Sequence, residues 1–572
     1  MERRFSRIYP QPWVQVGILI GFCVALYFLN LGRWDLWNPD EPRYAQVARE
    51  MVNGGDWILM HYNGEMYADK PPLFFWLIAF SSFLWRGFSS FSVRFPAALF
   101  GTLTVLATFF LGKTLYSSRT GFLSGLILAT SLEFAYLSTR ANIDTTLTFF
   151  ATASLLCFFL WYRRDPPHPC LPAGRLPPLP GGEREGVRGD RISPGKGRTL
   201  ILYGFYVGMA LATLAKGPVG FILPLSVSLV YLVVKKEWGT LRRMRLLSGL
   251  VLLIVIVLLW YLPAVIKGGE EYLHATLFKH TIDRYAQGWS KGRPITYYLY
   301  NFPIDFLPWI FFVPAALVYG FSREKVEKRR DFLFLFVWFG LIFIFFSLSK
   351  GKRGVYLLPL YPAVSLMVGK LWDDFISTPM DRFRNAWISV PLYGFMGMAL
   401  VAGAAIPWIL SIKFPSYLRY SLPITFLLVG GGLVMFVLCR FKSYAAIFFL
   451  LIGMVAGGYF YTSRIIFPLV NPYKSARFLA QEITARIQPG ERLVVYGRVS
   501  TGPFNYYTGI VPILDLSNMA DLFSILESSD RVFCLLDYKD FLQFQKIEGR
   551  PKVHLISRRA VGDDEIVLVS NR

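Results

Sequence analysis

The sequence predicts a polytopic α-helical membrane protein that ends in a small α/β domain. Of its 572 residues, 54% are hydrophobic and 17% are charged, whereas a soluble globular chain usually carries about a quarter charged residues. The mean hydropathy of +0.43 agrees with this class. The 51 Phe, 15 Trp and 31 Tyr are typical of lipid contact and of aromatic belts at a membrane edge. Apolar runs of helical length argue against an outer-membrane barrel.

We expect about thirteen transmembrane helices, because apolar runs of roughly 17–25 residues can cross a bilayer. They lie near 14–31, 93–112, 120–138, 142–162, 200–215, 217–234, 246–266, 303–320, 332–349, 354–371, 387–410, 421–439 and 443–461. The run 73–85 (LFFWLIAFSSFLW) is too short to span comfortably, so it predicts an interfacial or re-entrant helix.

The positions of the positive charges predict the topology. A net charge of +23 could favour nucleic-acid binding, but Lys and Arg concentrate in short loops such as 235–245 and 440–442. Basic loops of this kind face the cytoplasm, so we expect no nucleic-acid partner. The outer loop 32–92, the turn 350–353 and the chain after 461 are therefore assigned to the side away from the cytoplasm, which in a bacterial inner membrane is the periplasmic side.

Two segments depart from the membrane pattern. Residues 165–198 are rich in Pro, Gly and Arg, which predicts a disordered cytoplasmic insertion because such a segment cannot bury a core. Within 471–572, short apolar runs alternate with helical stretches, which predicts a soluble α/β domain of about a hundred residues. These runs are 493–497, 511–516, 531–537, 553–557 and 565–569. The membrane region is then 1–462.

The first outer loop should contain an amphipathic helix at the membrane surface. Asp40 is a suitable N-cap, Pro42 suits the first turn, and Gly54 suits the end. Apolar residues between them recur with helical spacing. Taken alone, Asp40 and Glu41 would be interpreted as capping groups that favour the helix dipole.

More acidic and basic residues share the same outer face. Asp144 begins a predicted span, where an ionised carboxylate is costly and marks a functional candidate. The other residues in these outer segments are Asp69, Lys70, Lys216, His280, Asp283, Arg284, Lys350, Lys352, Arg353 and Tyr356. Any one cation could be a snorkelling side chain. Together, on the side that positive charge avoids, they predict a site for a phosphorylated, lipid-anchored substrate, with carboxylates for the acceptor or a metal.

At these motifs the chain resembles the membrane glycosyltransferases with the GT-C fold. The matching stretches are PDEPRYAQVAREMVNGGDW, YADKPPLFFWL, ANIDT, AKGP, the His280–Arg284 loop and KGKRGVYLLPLYP. This type includes the aminoarabinose (4-amino-4-deoxy-L-arabinose) transferases of lipid A and the dolichyl-phosphate-mannose protein mannosyltransferases. The order and spacing of the motifs match the aminoarabinose branch over roughly residues 10–370.

The resemblance implies transfer of a sugar from a polyprenyl-phosphate donor to an envelope acceptor, most closely aminoarabinose transfer to lipid A. It assigns Asp40 as the catalytic carboxylate, with Glu41 beside it and Asp144 as a second acid. Substrate-binding roles fall to Lys70, Arg284, His280, Lys216, Lys352 and Tyr356. Asp69 is a candidate divalent-metal ligand, at a position where the aminoarabinose branch has Glu, and no other cofactor is implied.

Two alternatives remain at this point. A related transferase could act on protein, as the O-mannosyltransferases do, or on another glycan, because acceptor recognition in this fold lies in variable loops. A transporter of lipid-linked sugars would share the basic pocket. Transporters often carry internal repeats with broken helices near the midplane, whereas the polar residues here gather at one face.

Overall fold

The computed structural model describes residues 11–163, 194–276, 292–322, 326–377 and 382–572. Its first helices are α1 (Pro12–Cys23), α2 (Asp40–Gly54), α3 (Leu73–Leu84), α4 (Ser90–Leu115), α5 (Ser118–Ala129), α6 (Leu132–Ser138), α7 (Ile143–Arg163), α8 (Pro194–Lys216), α9 (Val219–Val234), α10 (Trp238–Arg243) and α11 (Leu246–His274). A short hairpin, β1 (His61–Tyr62) and β2 (Glu65–Met66), lies in the first outer loop. The remaining membrane-region helices are α12 (Tyr297–Asp305), α13 (Val313–Ser322), α14 (Val326–Leu348), α15 (Tyr361–Ser377), α16 (Arg382–Lys413), α17 (Leu418–Arg440), α18 (Tyr444–Tyr461) and α19 (Phe467–Lys474).

Each of the thirteen predicted spans coincides with a helical segment. Within the described residues, nine helices are long and apolar enough to cross a membrane, and two further spans are helix pairs bent by 72° and 113°. The shorter apolar helices Pro12–Phe28 and Val219–Val234 complete the set. The fold class predicted from the sequence is thereby confirmed. Residues 165–193 of the predicted insertion lie outside the described residues. Helix α8 begins at Pro194, so the last residues of the predicted insertion are helical.

The apolar surface of the bundle agrees with a lipid environment. On α11, Leu247, Leu259 and Ile266 are among the most exposed large hydrophobic side chains. The exposure of many large apolar side chains to water would be unfavourable. The same side chains are well placed against the acyl chains of a bilayer. The sharper of the two bends follows Asp305, where Pro308 has no N–H to continue a helical ladder.

Helix α2 has the amphipathic form that its spacing predicts. Tyr44, Val47, Ala48 and Met51 are buried, and the Tyr44 ring packs edge-on against two rings of α3. The helix ends at Gly54, and Gly55 follows in the left-handed conformation with φ 70°. The capping interpretation of Asp40 is wrong: the helix begins at Asp40 itself, and its carboxylate pairs with two arginines.

The C-terminal domain is a mixed sheet flanked by helices. Its strands are β3 (Arg492–Tyr496), β4 (Leu514–Leu516), β5 (Val532–Asp537), β6 (His554–Val561) and β7 (Asp564–Ser570), and its helices are α20 (Arg477–Thr484), α21 (Thr501–Thr508), α22 (Met519–Leu526) and α23 (Tyr538–Gln545). The spatial order is β4-β3-β5-β7-β6, with β3 parallel to both neighbours and β7 antiparallel to both of its own. All five predicted apolar runs contain a strand. The inner strands β3, β5 and β7 are buried on both faces of the sheet, whereas the edge strands β4 and β6 are largely exposed.

This domain and α19, the helix that leads into it, dock on the first outer loop through hydrogen bonds. The Asn471 side chain accepts from the Asp35 N–H (3.1 Å) and from the Trp37 indole (2.8 Å), and it donates to the Asp35 carboxylate (2.8 Å). Arg49 of α2 donates to the Tyr506 carbonyl (2.8 Å) and lies over the Tyr506 ring. The outer loop that carries Asp40 is therefore held by α19 and the C-terminal domain as well as by the bundle.

We predict that Asn471→Ala lowers the free energy of unfolding by about 1–3 kcal/mol, because it leaves buried donors unsatisfied. The measurement is the thermal unfolding midpoint in detergent. Lys474→Ala is the matched control, because its partner Asp563 is almost fully exposed and an exposed ion pair contributes little. An Asn471→Ala midpoint equal to that of the control would contradict the docking role.

Candidate active site

A cavity of about 700 Å³ opens where the outer loop meets the helix bundle. Among the described residues its wall carries five cationic side chains and three carboxylates: Arg43, Lys70, Lys216, Lys352 and Arg353, with Asp40, Asp69 and Asp144. The rest of the wall is largely apolar and includes Ile222, Val257, Trp260 and Phe346. The cavity thus offers a charged end and an apolar side to one ligand.

The structure brings most of the predicted site residues together in this wall. They are Asp40, Asp69, Lys70, Asp144, Lys216, Lys352 and Tyr356, contributed by segments far apart in the sequence. His280 and Arg284 lie outside the described residues, so their assignment stays a prediction.

Asp40 is held between two guanidinium groups. Its Oδ1 lies 2.7 Å from Arg43 Nη2, and its Oδ2 lies 2.8 Å from Arg353 Nη2. Burial alone would raise the pKa of Asp40, but Arg353 and Arg43 outweigh it and hold the pKa below its ordinary value of 3.8. The group is therefore a carboxylate at neutral pH, and it is a weak base while both arginines stay in place.

Asp69 and Lys70 form the second charged pair in the wall. Asp69 Oδ1 lies 2.8 Å from Lys70 Nζ, and its Oδ2 lies 3.8 Å from Arg43 Nη1. Arg43 therefore links Asp40 to Asp69. Both Asp69 oxygens face cations, and no group of three or more His, Cys, Asp or Glu in the described part of the chain is placed to hold a metal ion. The described side chains alone therefore do not form a divalent-cation site, and a metal at Asp69 stays a prediction.

Asp144 and Lys216 close the cavity on the bundle side. The Lys216 ammonium donates to the Asp144 carboxylate and lies 4.4 Å from the centre of the Tyr356 ring. Such contacts hold an ammonium in place at a membrane surface. The cost of an ionised acid at the start of α7 is offset by this partner.

Lys352 fixes the turn that follows α14. It is 7% exposed, and its ammonium donates to the carbonyls of Arg293 (3.0 Å) and Ser349. The Tyr298 hydroxyl donates to the Arg353 carbonyl (3.1 Å). The backbone of the turn is therefore anchored on both sides of Lys352.

Glu41 departs from its predicted catalytic role. It is not among the described residues that line the cavity, and it is 1% exposed. Its carboxylate lies 2.7 Å from Arg94 Nε and 2.9 Å from Arg140 Nε, and it also accepts from the N–H groups of Trp37 and Ala141. With both oxygens engaged inside the protein, Glu41 acts as an anchor for α2, not as a group that reaches a substrate.

Two cationic residues in the wall were not assigned from the sequence. Arg43 lies one helical turn after Asp40, and that i, i+3 spacing could have identified it. Arg353 is among the outer-face cations that predict the site, but it was given no role of its own, and its partner Asp40 is 313 residues away. No local pattern encodes that pairing.

Comparison with known proteins places the chain in a family. Residues 69–169 match the family described as dolichyl-phosphate-mannose-protein mannosyltransferase. A Pseudomonas paraeruginosa (strain PA7) protein described as undecaprenyl phosphate-alpha-4-amino-4-deoxy-L-arabinose arabinosyl transferase is 30% identical over 431 residues, covering 74% of this chain and 70% of that one. An Enterobacter sp. (strain 638) protein with the same description is 29% identical over 409 residues, covering 71% and 67%.

A solved structure has the same fold. The crystal structure of ArnT from Cupriavidus metallidurans bound to undecaprenyl phosphate superposes with a TM-score of 0.77 over 98% of both chains, at 19% identity. Fold and motifs together define a GT-C membrane glycosyltransferase. The chain belongs to the family of the undecaprenyl phosphate-aminoarabinose arabinosyl transferases, which confirms the resemblance drawn from its motifs and supersedes the transporter alternative.

We predict that Glu41→Gln destabilises the fold, because Arg94 and Arg140 would stay buried with less compensating charge. Breaking a buried ion pair typically costs about 3–5 kcal/mol, so the unfolding midpoint in detergent should fall clearly. Asp40→Asn is the matched comparison: its partners are partly exposed, so its midpoint should change little while transfer activity falls. A stable but inactive Glu41→Gln protein would contradict the anchoring role.

Proposed function

We propose that this protein transfers 4-amino-4-deoxy-L-arabinose from a polyprenyl-phosphate donor to a phosphate group of a lipid A-type acceptor, at the periplasmic face of the inner membrane. The observation that carries the proposal is the cavity itself, in which an apolar wall adjoins five cations and three carboxylates. A donor with an isoprenoid chain and a phosphate matches both parts of that wall. The names of the relatives supply the sugar.

The charge of the cavity suits the change that occurs in the donor. A sugar linked through phosphate to a lipid carries one negative charge, and the lipid phosphate released by transfer gains a second. The two excess positive charges in the wall favour the state with more negative charge. Such contacts gain strength where water is excluded, so they lower the barrier as well as the energy of the product.

Transfer then needs one displacement at the anomeric carbon. An acceptor oxygen forms a bond to that carbon while the bond to the donor phosphate oxygen breaks, and the electron pair remains on the phosphate. Lys70 and Lys216 stand in the wall to neutralise the charge that develops there. Among the residues outside the described part, Arg284 is assigned to the same phosphate by the motif resemblance.

The state of Asp40 favours a phosphate acceptor over a hydroxyl acceptor. A hydroxyl must lose a proton to a base during attack, but the neighbouring arginines hold the pKa of Asp40 low. One of them, Arg43, lies on the same helix as Asp40 and remains its partner whatever the cavity holds. An ionised phosphate brings no such requirement, so Asp40 would orient the acceptor or the sugar. Lipid A-type transfer differs in this respect from protein O-mannosyltransfer, whose acceptor is a hydroxyl.

The charges at the opposite helix ends support a periplasmic cavity. Helix α9 begins at the cavity with Val219 and ends at Val234, and the basic residues Lys235 and Lys236 follow it. Arg242 and Arg243 end α10, the next helix after this basic pair. Short basic loops face the cytoplasm.

A divalent metal at Asp69 is tested by adding a chelator to the transfer assay. Because Asp69 is paired with cations, we expect the chelator to leave the transfer rate unchanged.

The direct test is mass spectrometry of lipid A from cells with and without the protein, together with transfer of labelled sugar in detergent. We expect aminoarabinose on a lipid A phosphate only when the protein is present. Lys70→Ala should lower the transfer rate on the order of a hundredfold, whereas Lys413→Ala, an exposed cation at the end of α16, should not. A sugar found on serine or threonine of a protein would contradict the acceptor.

The pH dependence of transfer offers a second prediction. Because its pKa is lowered, Asp40 is ionised at every pH above its ordinary value of 3.8, and that ionisation cannot limit the rate near pH 6. The acidic limb should instead follow the second ionisation of the acceptor phosphate, at about pH 6. Asp40→Asn should lower the rate at each pH and leave the position of the limb unchanged. A limb that disappears in Asp40→Asn would make Asp40 the base.

A further inference from the structure

We propose that Arg353 is a further phosphate-binding residue, shared between Asp40 and the lipid phosphate, so that binding of the phosphate releases one side of Asp40. The inference rests on the proposed lipid-phosphate donor and adds a residue and a coupling to it. It concerns the tie between α2 and the turn after α14.

Among the ion-paired cations of the cavity wall, Arg353 has the most exposed side chain. Its side chain is 46% exposed, against 27% for Arg43, 15% for Lys216 and 9% for Lys70. An exposed guanidinium keeps room to turn and gains less from any one partner. Of the cavity cations, Arg353 can therefore change partner at the smallest cost.

The backbone around Arg353 is fixed while its side chain reaches outward. Lys352 and Tyr298 anchor the turn through hydrogen bonds to backbone carbonyls, including that of Arg353. The backbone at Arg353 is thus held in place, while its half-exposed guanidinium has room to turn toward a ligand. That geometry favours exchange between two acceptors within reach of one side chain.

The two partners of Asp40 differ in how firmly they are tied to it. Arg43 lies on the same helix, three residues away, so it remains near Asp40 whatever the cavity holds. Arg353 belongs to the turn after α14, a separate segment, and its link to Asp40 is the side-chain ion pair. A phosphate presents more charge and more acceptor oxygens than a carboxylate, and it suits the planar fork of arginine. Phosphate and Asp40 therefore compete for Arg353.

Competition predicts that removing Asp40 strengthens lipid-phosphate binding. The probe is undecaprenyl phosphate, titrated against the full-length protein in detergent. We expect Asp40→Asn to bind it about three- to tenfold more tightly than the unchanged protein does, because Arg353 is no longer shared. Arg353→Gln should bind it more weakly, and Arg353→Lys should recover part of the loss because the charge is kept.

The double variant separates this coupling from a general change of charge. If Arg353 is shared, the gain from Asp40→Asn vanishes in the Arg353→Gln background. Arg558→Gln is the matched control, because the Arg558 side chain is 44% exposed and paired with Glu565 on the C-terminal sheet. The affinity of this variant for undecaprenyl phosphate should equal that of the unchanged protein. Unfolding midpoints of all variants identify any that fail to fold.

Two results would overturn the inference. A gain from Asp40→Asn that persists in the Arg353→Gln background would mean that the carboxylate acts through its field alone. An Asp40→Asn protein that binds no more tightly than the unchanged protein would show that Arg353 is not shared. Both leave the proposed function intact, whereas failure of the unchanged protein to bind undecaprenyl phosphate would remove the lipid-phosphate donor and with it this inference.

Discussion

The buried ion pairs of Glu41 with Arg94 and Arg140 are the constraint on which the site depends. Charges taken out of water are tolerated only with close partners, and Arg94 is 0% exposed. Arg94 also donates to the carbonyls of Leu31, Trp34 and Asp35, so one side chain ties the outer loop to α4. Because Asp40 directly precedes Glu41 in the chain, this anchor fixes the position of the Asp40 carboxylate in the cavity.

The cavity is built from charges that hold one another in place. Each carboxylate in its wall has a cation as partner, and the five cations outnumber the three carboxylates. Apolar side chains beside them lower the local dielectric, so each contact counts for more than it would in water. Docking of the C-terminal domain on the same loop adds rigidity from outside the membrane. A site whose charges are largely preorganised stabilises developing charge with little rearrangement.

The sequence predicted the spans and strands because hydrophobic periodicity and length are local properties. It also placed Asp40, Asp69, Lys70 and Asp144 at one membrane face, since topology follows from loop charge. Two features were beyond it. Glu41 looked like a second catalytic acid because its partner Arg94 lies in a later helix, and the Asp40–Arg353 pair depends on tertiary packing across 313 residues. The residue types predicted which side chains are charged, but which of these charges form ion pairs depends on the tertiary fold.

The most direct test of the account is the sidedness of the cavity residues. Single cysteines would replace Asp69, Lys216 and Arg353 in turn, in a background without the native cysteines, and a membrane-impermeant thiol reagent would be added from the periplasmic side. The account predicts labelling of all three in intact inner membranes, while a cysteine at Arg243 on α10 reacts only after lysis. Labelling of the three positions from different sides would contradict a common cavity.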